Sequence, residues 1–207
     1  MRAAAAGTAA VALSLVALTG CAHHSTGASP PAAATGGMTQ QQAAKALLTQ
    51  AELPLGFEQQ DGGGDAAAIG CAGIDRLYLS QDTTARASVS FGHTLSSAFV
   101  NETIAVQPGK ATANVDGFRR AAQDCRAFSG SGQQYQVTPL TGLPAYGDAT
   151  AGLRITSRLR EARPVELVAV RIGDTVVLVA NAEAGAVDTE LTRTIVARAV
   201  QKLRKSG

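Results

Sequence analysis

Three arginines in the last third of the chain have the spacing of an anion-binding surface. Arg154, Arg158 and Arg160 share parity in a segment whose other alternate positions are apolar. If residues 151–160 form a strand, these side chains lie on one face, about 7 Å apart for each two-residue step. Guanidinium groups at that spacing can hold a carboxylate or a phosphate. The alternative is a solvated strand face that nearby glutamates partly neutralise.

Groups that could carry out catalysis are sparse. His93 is the only histidine outside the first 24 residues, and it follows Phe91-Gly92 near the end of a predicted strand. No Gly-x-Ser-x-Gly nucleophile elbow occurs. Carboxylates such as Glu102 and Asp148 are present, as in any globular domain. We therefore predict no enzyme activity, no catalytic residue, no metal site and no cofactor, and we keep an envelope hydrolase as a less favoured alternative.

The N-terminal residues have the pattern of a lipoprotein signal. Arg2 precedes an uncharged run with an apolar stretch at residues 11–18, which ends in the sequence LTGC with the cysteine at position 21. The apolar stretch is too short for a stable membrane span. The sequence LTGC looks like a bacterial lipobox. This resemblance implies cleavage before Cys21, diacylglycerol on its thiol and a fatty acid such as palmitate on its new N-terminus. An ordinary secretory peptide with an incidental cysteine is the alternative.

This reading divides the chain into three parts. Residues 1–20 are a signal peptide, residues 21–38 are a flexible tether rich in small residues and proline, and residues 39–207 form the globular domain. The predicted location is the extracytoplasmic face of the cell membrane, with Cys21 anchored in the membrane through lipid.

The two remaining cysteines predict a disulfide. Cys71 and Cys125 are 54 residues apart. Two thiols in an exported domain most simply pair with each other, which would close a long loop and stabilise the fold by roughly 4 kcal/mol. The alternative is a free catalytic cysteine, for which His93 would be the nearest candidate base.

Composition fits a single globular domain without a nucleic-acid partner. The chain has 207 residues, which is long enough for one domain with its own core. Of these residues, 45% are hydrophobic and 16% are charged, and this composition argues against global disorder. Lys and Arg together number 18 and Asp and Glu 16, so the formal net charge is only +2. That balance gives no basis for binding nucleic acid.

Hydrophobic periodicity predicts about three helices and several strands. The first helix begins at Thr39, where Gln42 completes a capping-box pattern, and the last begins at Asp188. Helical spacing over residues 111–128 places Cys125 on the apolar side. The predicted strands are 77–79 (short), 85–92, 100–106, a segment around 135–137, 153–159, 165–172 and 175–180.

The last two of these strands predict a hairpin at the centre of the sheet. Gly173-Asp174 is a two-residue turn between segments that are apolar on both faces. Strands of this kind are either covered on both faces or line a cavity, and we favour a packed core. The order of elements predicts an α+β fold, with a mostly antiparallel sheet of five to seven strands packed with about three helices.

The chain resembles the extracellular sensor domain of the PknH type, found on mycobacterial-type receptor kinases and on related lipoproteins. The resemblance covers about residues 40–205. It depends on the opening helix at 44–53, the segment 71–78, the strand 100–106 leading into the helix with Cys125, and the hairpin at 168–177. It implies binding or sensing outside the membrane through a cleft over an antiparallel sheet. No kinase motif is present in the chain.

Together these observations predict a cell-envelope lipoprotein whose domain binds or senses a ligand or an envelope protein outside the membrane. A lipid or glycolipid carrier is the main alternative, because doubly apolar strands can line a cavity for an apolar ligand.

Overall fold

The computed structural model describes residues 37–61, 68–130, 133–157 and 163–206. The predicted signal peptide, Cys21 and almost all of the predicted tether lie outside these residues, so these assignments stay predictions. No helix in the described ranges is long and apolar enough to cross a membrane.

Four helices and eight strands make up the described part of the domain. The helices are α1 (Gln40–Ala46), α2 (Ala72–Leu79), α3 (Ala111–Asp124) and α4 (Thr189–Ser206), with a 3-10 turn at Gln50–Glu52 after α1. The strands are β1 (Phe57–Gln60), β2 (Ala85–His93), β3 (Phe99–Val106), β4 (Ala127–Gly130), β5 (Gln133–Pro139), β6 (Ala149–Ser157), β7 (Val165–Ile172) and β8 (Thr175–Ala182).

All eight strands join in one antiparallel sheet in the order β1-β2-β3-β8-β7-β6-β5-β4. The predicted α+β class and the antiparallel sheet are confirmed. The predicted counts are wrong, because the described residues hold eight strands and four helices rather than five to seven strands and about three helices. The missed strands β1 and β4 are short edge strands of four residues each, and β1 buries only Phe57. They therefore lack the alternation that identifies a strand in sequence.

Two further predictions of local structure are wrong. Residues 77–79 belong to helix α2, where Ile74 and Leu77 are buried three residues apart against α3. The helix predicted over residues 111–128 ends at Asp124, and the chain turns after Cys125 into β4. In both places the pattern covers only three or four residues, which is too short to distinguish the helical repeat of about 3.6 residues from the strand repeat of two.

The predicted helix starts are confirmed by their side-chain caps. The Thr39 hydroxyl accepts the backbone N–H of Gln42 at 3.2 Å, and the side-chain Oε1 of Gln42 accepts the backbone N–H of Thr39 at 2.8 Å. At α4 the Asp188 carboxylate accepts the N–H groups of Glu190 and Leu191. These bonds satisfy donors that the first turn of a helix leaves free.

Helices cover both faces of the sheet. We call the side packed against α1 and α4 the α4 face, and the side packed against α2 and α3 the α3 face. Strands β7 and β8 are central and supply buried residues to both cores. On the α4 face these are Val168, Val170, Val177 and Val179, and on the α3 face Leu167, Ala169, Val176 and Leu178. The central position predicted for the hairpin is therefore confirmed.

Glu102 is a fully buried carboxyl group in the core of the α4 face. Its Oε2 accepts the backbone N–H of Leu48, between α1 and the 3-10 turn, at 2.6 Å. Its Oε1 has no hydrogen-bond partner among the described residues. Burial raises the pKa of Glu102 to about 7, while the Leu48 N–H and Lys202 oppose that rise and Glu52 adds to it. The carboxyl group is thus held toward its neutral form.

We expect Glu102 to make the domain less stable as the pH rises from about 5 to about 8. The folded protein binds this proton more tightly than the unfolded chain, so stability falls between the unfolded pKa near 4.5 and the folded pKa of about 7. The full effect is roughly 3 kcal/mol. Glu102→Gln should remove this fall, as measured by denaturant unfolding at both pH values. The control is Glu58→Gln, at an exposed glutamate of β1, and equal pH dependence in both variants would contradict the assignment.

Candidate functional site

A cleft of about 780 Å³ lies on the α3 face of the sheet. Helix α3 packs over β5, β6, β7 and β8, and the cleft lies beside it, where the same face continues onto β8, β3 and β2. Its volume is within the range of small-molecule binding sites. The residues that line the cleft include Ser90, Asn101, Phe99, Ile155, Val165, Leu167, Ala180, Phe128, Tyr135, Ile69, Tyr78, His93 and Arg163.

One wall of the cleft is a polar strip on β2 and β3. Ser90 lies directly opposite Asn101 in the antiparallel register, and Ser88 lies opposite Thr103. The Asn101 side-chain amide donates to the Ser90 hydroxyl at 3.0 Å and to the Val89 carbonyl at 3.2 Å. The Ser88 and Thr103 hydroxyls are 2.9 Å apart. Of these residues, Ser90 and Asn101 line the cleft, and because their side chains hold each other in place they present fixed hydrogen-bonding groups to a ligand.

The adjoining wall is apolar, because Asn101 lies next to Ala180 in the register and Ala180 lies next to Leu167. Val165 and Leu167 of β7, Ile155 of β6 and Ala180 of β8 line it. The middle residues of the central strands therefore pack under helices, and residues nearer one end line a cavity. An apolar wall beside a polar strip suits a ligand that has both an apolar and a hydrogen-bonding part.

A pair of aromatic rings lies at the edge of the apolar wall. Phe128 of β4 and Tyr135 of β5 stack with their centroids 5.1 Å apart and an angle of 21° between the ring planes. Both are half-buried and both line the cleft. They add a flat apolar surface that one ring or chain of a ligand can contact.

A disulfide and a carboxylate position the α2 side of the cleft. Cys71 and Cys125 are joined by a disulfide, with their Cα atoms 5.8 Å apart, as the sequence predicted. It connects the start of α2 to the end of α3. Within α2, the Asp75 carboxylate accepts the backbone N–H groups of Ile69 and Gly70 at 2.8 and 3.1 Å. These bonds hold Ile69 against the cleft.

The two helices also approach each other closely at glycines. A Cβ atom at Gly73 would lie 2.6 Å from the Gly117 carbonyl oxygen, which is closer than real Cβ atoms come. Gly73 therefore lets α2 lie directly on α3.

Two of the titratable side chains that line the cleft, those of His93 and Tyr78, lie in fixed environments, and Asp61 and Arg163 line it as well. The Nδ1 atom of His93 accepts the backbone N–H groups of Leu95 and Ser96, and the ring meets Phe57 edge to face. Burial raises the pKa of Tyr78, so its phenol stays protonated at physiological pH. No group of three or more His, Cys, Asp or Glu residues in the described ranges could hold a metal ion.

The structure places Arg154 away from the cleft, on the α4 face. Its guanidinium contacts Glu166 Oε1 at 2.5 Å and the Thr189 hydroxyl at 3.1 Å. Glu166 is fully buried, and its second oxygen accepts the Thr192 hydroxyl at 2.6 Å. Arg154 therefore neutralises a buried carboxylate beneath α4. Arg158 and Arg160 lie outside the described residues, so an anion site formed by the three arginines stays a prediction.

The residues of the cleft were missed by sequence reasoning. Ser90 and Asn101 occupy strand positions that read as solvent-facing, and only their register brings them together. Phe128 was assigned to the end of a helix. The one signal present in sequence was the doubly apolar β7–β8 hairpin, for which a cavity was the alternative.

Comparison with known proteins identifies the fold. No protein-family model and no curated protein matches the chain. Among solved structures, the chain is similar to the extracellular domain of PknH from Mycobacterium tuberculosis, with a TM-score of 0.64 and 16% identity, covering 82% of this chain and 98% of that one. An uncharacterized protein of Mycobacterium smegmatis, an Rv0999 ortholog, matches with a TM-score of 0.48 and 14% identity over 78% of this chain and 96% of that one.

The chain is thus an α+β domain whose fold is that of a solved extracellular domain. In particular, it shares the fold of the PknH extracellular domain, as the resemblance in sequence implied.

We expect Arg154 to be needed for stability. Arg154→Ala leaves the buried Glu166 carboxylate with hydroxyl partners only and should lower the free energy of unfolding by about 2 kcal/mol. Adding Glu166→Gln should recover part of that loss, because the uncompensated charge is then removed. The measurement is denaturant unfolding of the single and double variants. If Arg154→Ala is no less stable than Arg126→Ala, at an exposed arginine, the ion pair does not stabilise the fold.

Proposed function

We propose that the chain is a lipid-anchored protein of the cell envelope whose extracytoplasmic domain binds a small ligand in the cleft. The observation that carries this proposal is the cleft itself, with a fixed polar strip beside an apolar wall. The shared fold with an extracellular domain supports an extracytoplasmic location, and the LTGC sequence at the end of a short apolar stretch supports attachment at Cys21.

We further propose that the domain binds its ligand without transforming it. The polar strip presents the Ser90 hydroxyl and the Asn101 amide to the cleft, and these groups orient a ligand by hydrogen bonding. His93, the one imidazole at the cleft, has its Nδ1 bonded to two backbone N–H groups. The polar groups of the cleft therefore fit a domain that binds a ligand better than they fit a hydrolase.

A lipid or glycolipid carrier is the second candidate. The apolar wall and the stacked Phe128–Tyr135 pair favour it, because an acyl chain needs a continuous apolar surface. The two candidates differ in the ligand and share the cleft, so a single experiment separates them.

Blocking the cleft should abolish ligand retention. Ala180 lines the apolar wall, and Ala180→Phe would fill part of the space that a ligand occupies. We expect small molecules released from the purified wild-type chain by organic extraction, identified by mass spectrometry, to be missing from Ala180→Phe. The control is Ala184→Phe at an exposed position. Acyl-chain lipids in the wild-type extract would favour the carrier, and identical extracts from both variants would refute the cleft as the site.

Cys21 should determine the location of the protein. Cys21→Ser removes the thiol that would carry diacylglycerol and should release the protein from the membrane fraction or stop its processing. The measurement is fractionation of cells together with the intact mass. Unchanged membrane retention and an unchanged mass would exclude lipidation at this cysteine.

A further inference from the structure

An exposed cluster of positive charge lies on α4, away from the cleft. Arg198, Lys202 and Lys205 of α4 face the Pro54–Leu55 turn across a groove of about 530 Å³. We call this surface, formed by these three cations and the turn, the basic groove. It shares no lining residue with the cleft, so a function at this surface is separate from ligand binding there.

The charge of the basic groove is only partly compensated. Glu52 is the single carboxylate that lines it, and Lys202 Nζ already contacts Glu52 Oε2 at 2.6 Å. Arg198 donates to the neutral backbone carbonyl of Glu52 at 2.6 Å. Lys205 is exposed and makes no ion pair with any residue that the structure describes. The positive charges of Arg198 and Lys205 thus remain for an external anionic partner.

An apolar side chain lies beside these cations. Leu55 is 98% exposed at the tip of the turn, directly after Pro54. A single exposed leucine is common on protein surfaces. Beside uncompensated cations, however, it gives the surface the two components that bind an anionic membrane: positive charge for the headgroups and an apolar side chain for the boundary with the acyl chains.

The position of the basic groove is compatible with the proposed anchor. The first described helix, α1, packs directly on α4, and sixteen peptide steps separate Cys21 from Gly37. An extended chain spans at most about 3.5 Å per residue, so a lipid on Cys21 would keep Gly37 within roughly 55 Å of the membrane. A weak surface contact gains strength when the protein is already held so close.

We propose that the basic groove binds the surface of a membrane rich in anionic phospholipid and so orients the domain on the membrane. The inference depends on the proposed anchor only for the presence of a nearby membrane. It can therefore be tested on a chain that carries no lipid.

The test measures binding to vesicles by the full chain with Cys21→Ser. The vesicles contain phosphatidylcholine, either alone or with one third phosphatidylglycerol. We expect binding only to the anionic vesicles, and binding should weaken between about 0.1 M and about 1 M salt, over which the Debye length falls from about 10 Å to about 3 Å. Arg198→Gln with Lys205→Gln should lower the partition coefficient roughly 25-fold, about fivefold for each cation.

Matched variants separate charge from other effects. Lys110→Gln with Arg120→Gln removes the same charge from exposed positions on α3 and just before it, on the other side of the sheet, and should leave vesicle binding unchanged. Arg198→Lys with Lys205→Arg keeps the charge and should keep binding. Leu55→Ser should cause a smaller loss that persists at high salt. Melting temperatures of all variants show whether each is folded.

Three results would overturn the proposal. The first is equal vesicle binding by the Arg198→Gln, Lys205→Gln variant and by its α3 control. The second is binding that does not depend on phosphatidylglycerol or on salt. The third is self-association in solution that Leu55→Ser abolishes, which would make a second copy of the chain the partner of this surface. None of these results bears on lipidation at Cys21 or on the cleft, which have their own tests.

Discussion

The fold depends on burying both faces of the β7–β8 hairpin. Val168, Val170, Val177 and Val179 need cover on one side, and Ala169, Val176 and Leu178 need it on the other. No single layer of helices can do this, so the sheet must lie between α1 and α4 on one side and α2 and α3 on the other. The short α2–α3 layer does not cover the whole of its face. The cleft is the part of that face which remains beside the helices.

Two fully buried glutamates on the α4 face show two different ways of keeping a carboxyl group in a core. Glu166 remains among partners that suit its charge: one guanidinium and two threonine hydroxyls. The Oε2 atom of Glu102 accepts one backbone N–H, and its Oε1 has no hydrogen-bond partner among the described residues. Its pKa rises to about 7. The first arrangement fastens the start of α4 to the sheet. The second fastens the segment after α1 but makes that attachment sensitive to pH.

Much of the local structure could be predicted from the sequence, because the signals are short-range. The caps at Thr39 and Asp188, the Gly173-Asp174 turn and the paired cysteines all act within a few residues or through strong chemistry. The cleft could not be predicted in the same way. Ser90 and Asn101 meet only through the register of β2 and β3. Neutralisation of the arginines by nearby glutamates was the alternative in the sequence, and Glu166 does pair with Arg154, but its burial beneath α4 was not predicted. The cations of the basic groove likewise depend on where the Pro54–Leu55 turn lies against α4.

The pairing of β3 with β8 has a consequence for how the chain reaches its folded state. These strands join the two halves of the sheet, and their paired residues range from Val106 with Thr175 to Phe99 with Ala182, 69 to 83 positions apart. A chain that emerges N-terminus first presents β3 long before β8 exists. During that interval β3 is an unpaired edge strand with Val100, Ile104 and Val106 uncovered, the kind of edge that recruits other strands. Completion of the sheet therefore waits for the C-terminal hairpin, and the β3–β8 pairing is a late, long-range step of folding.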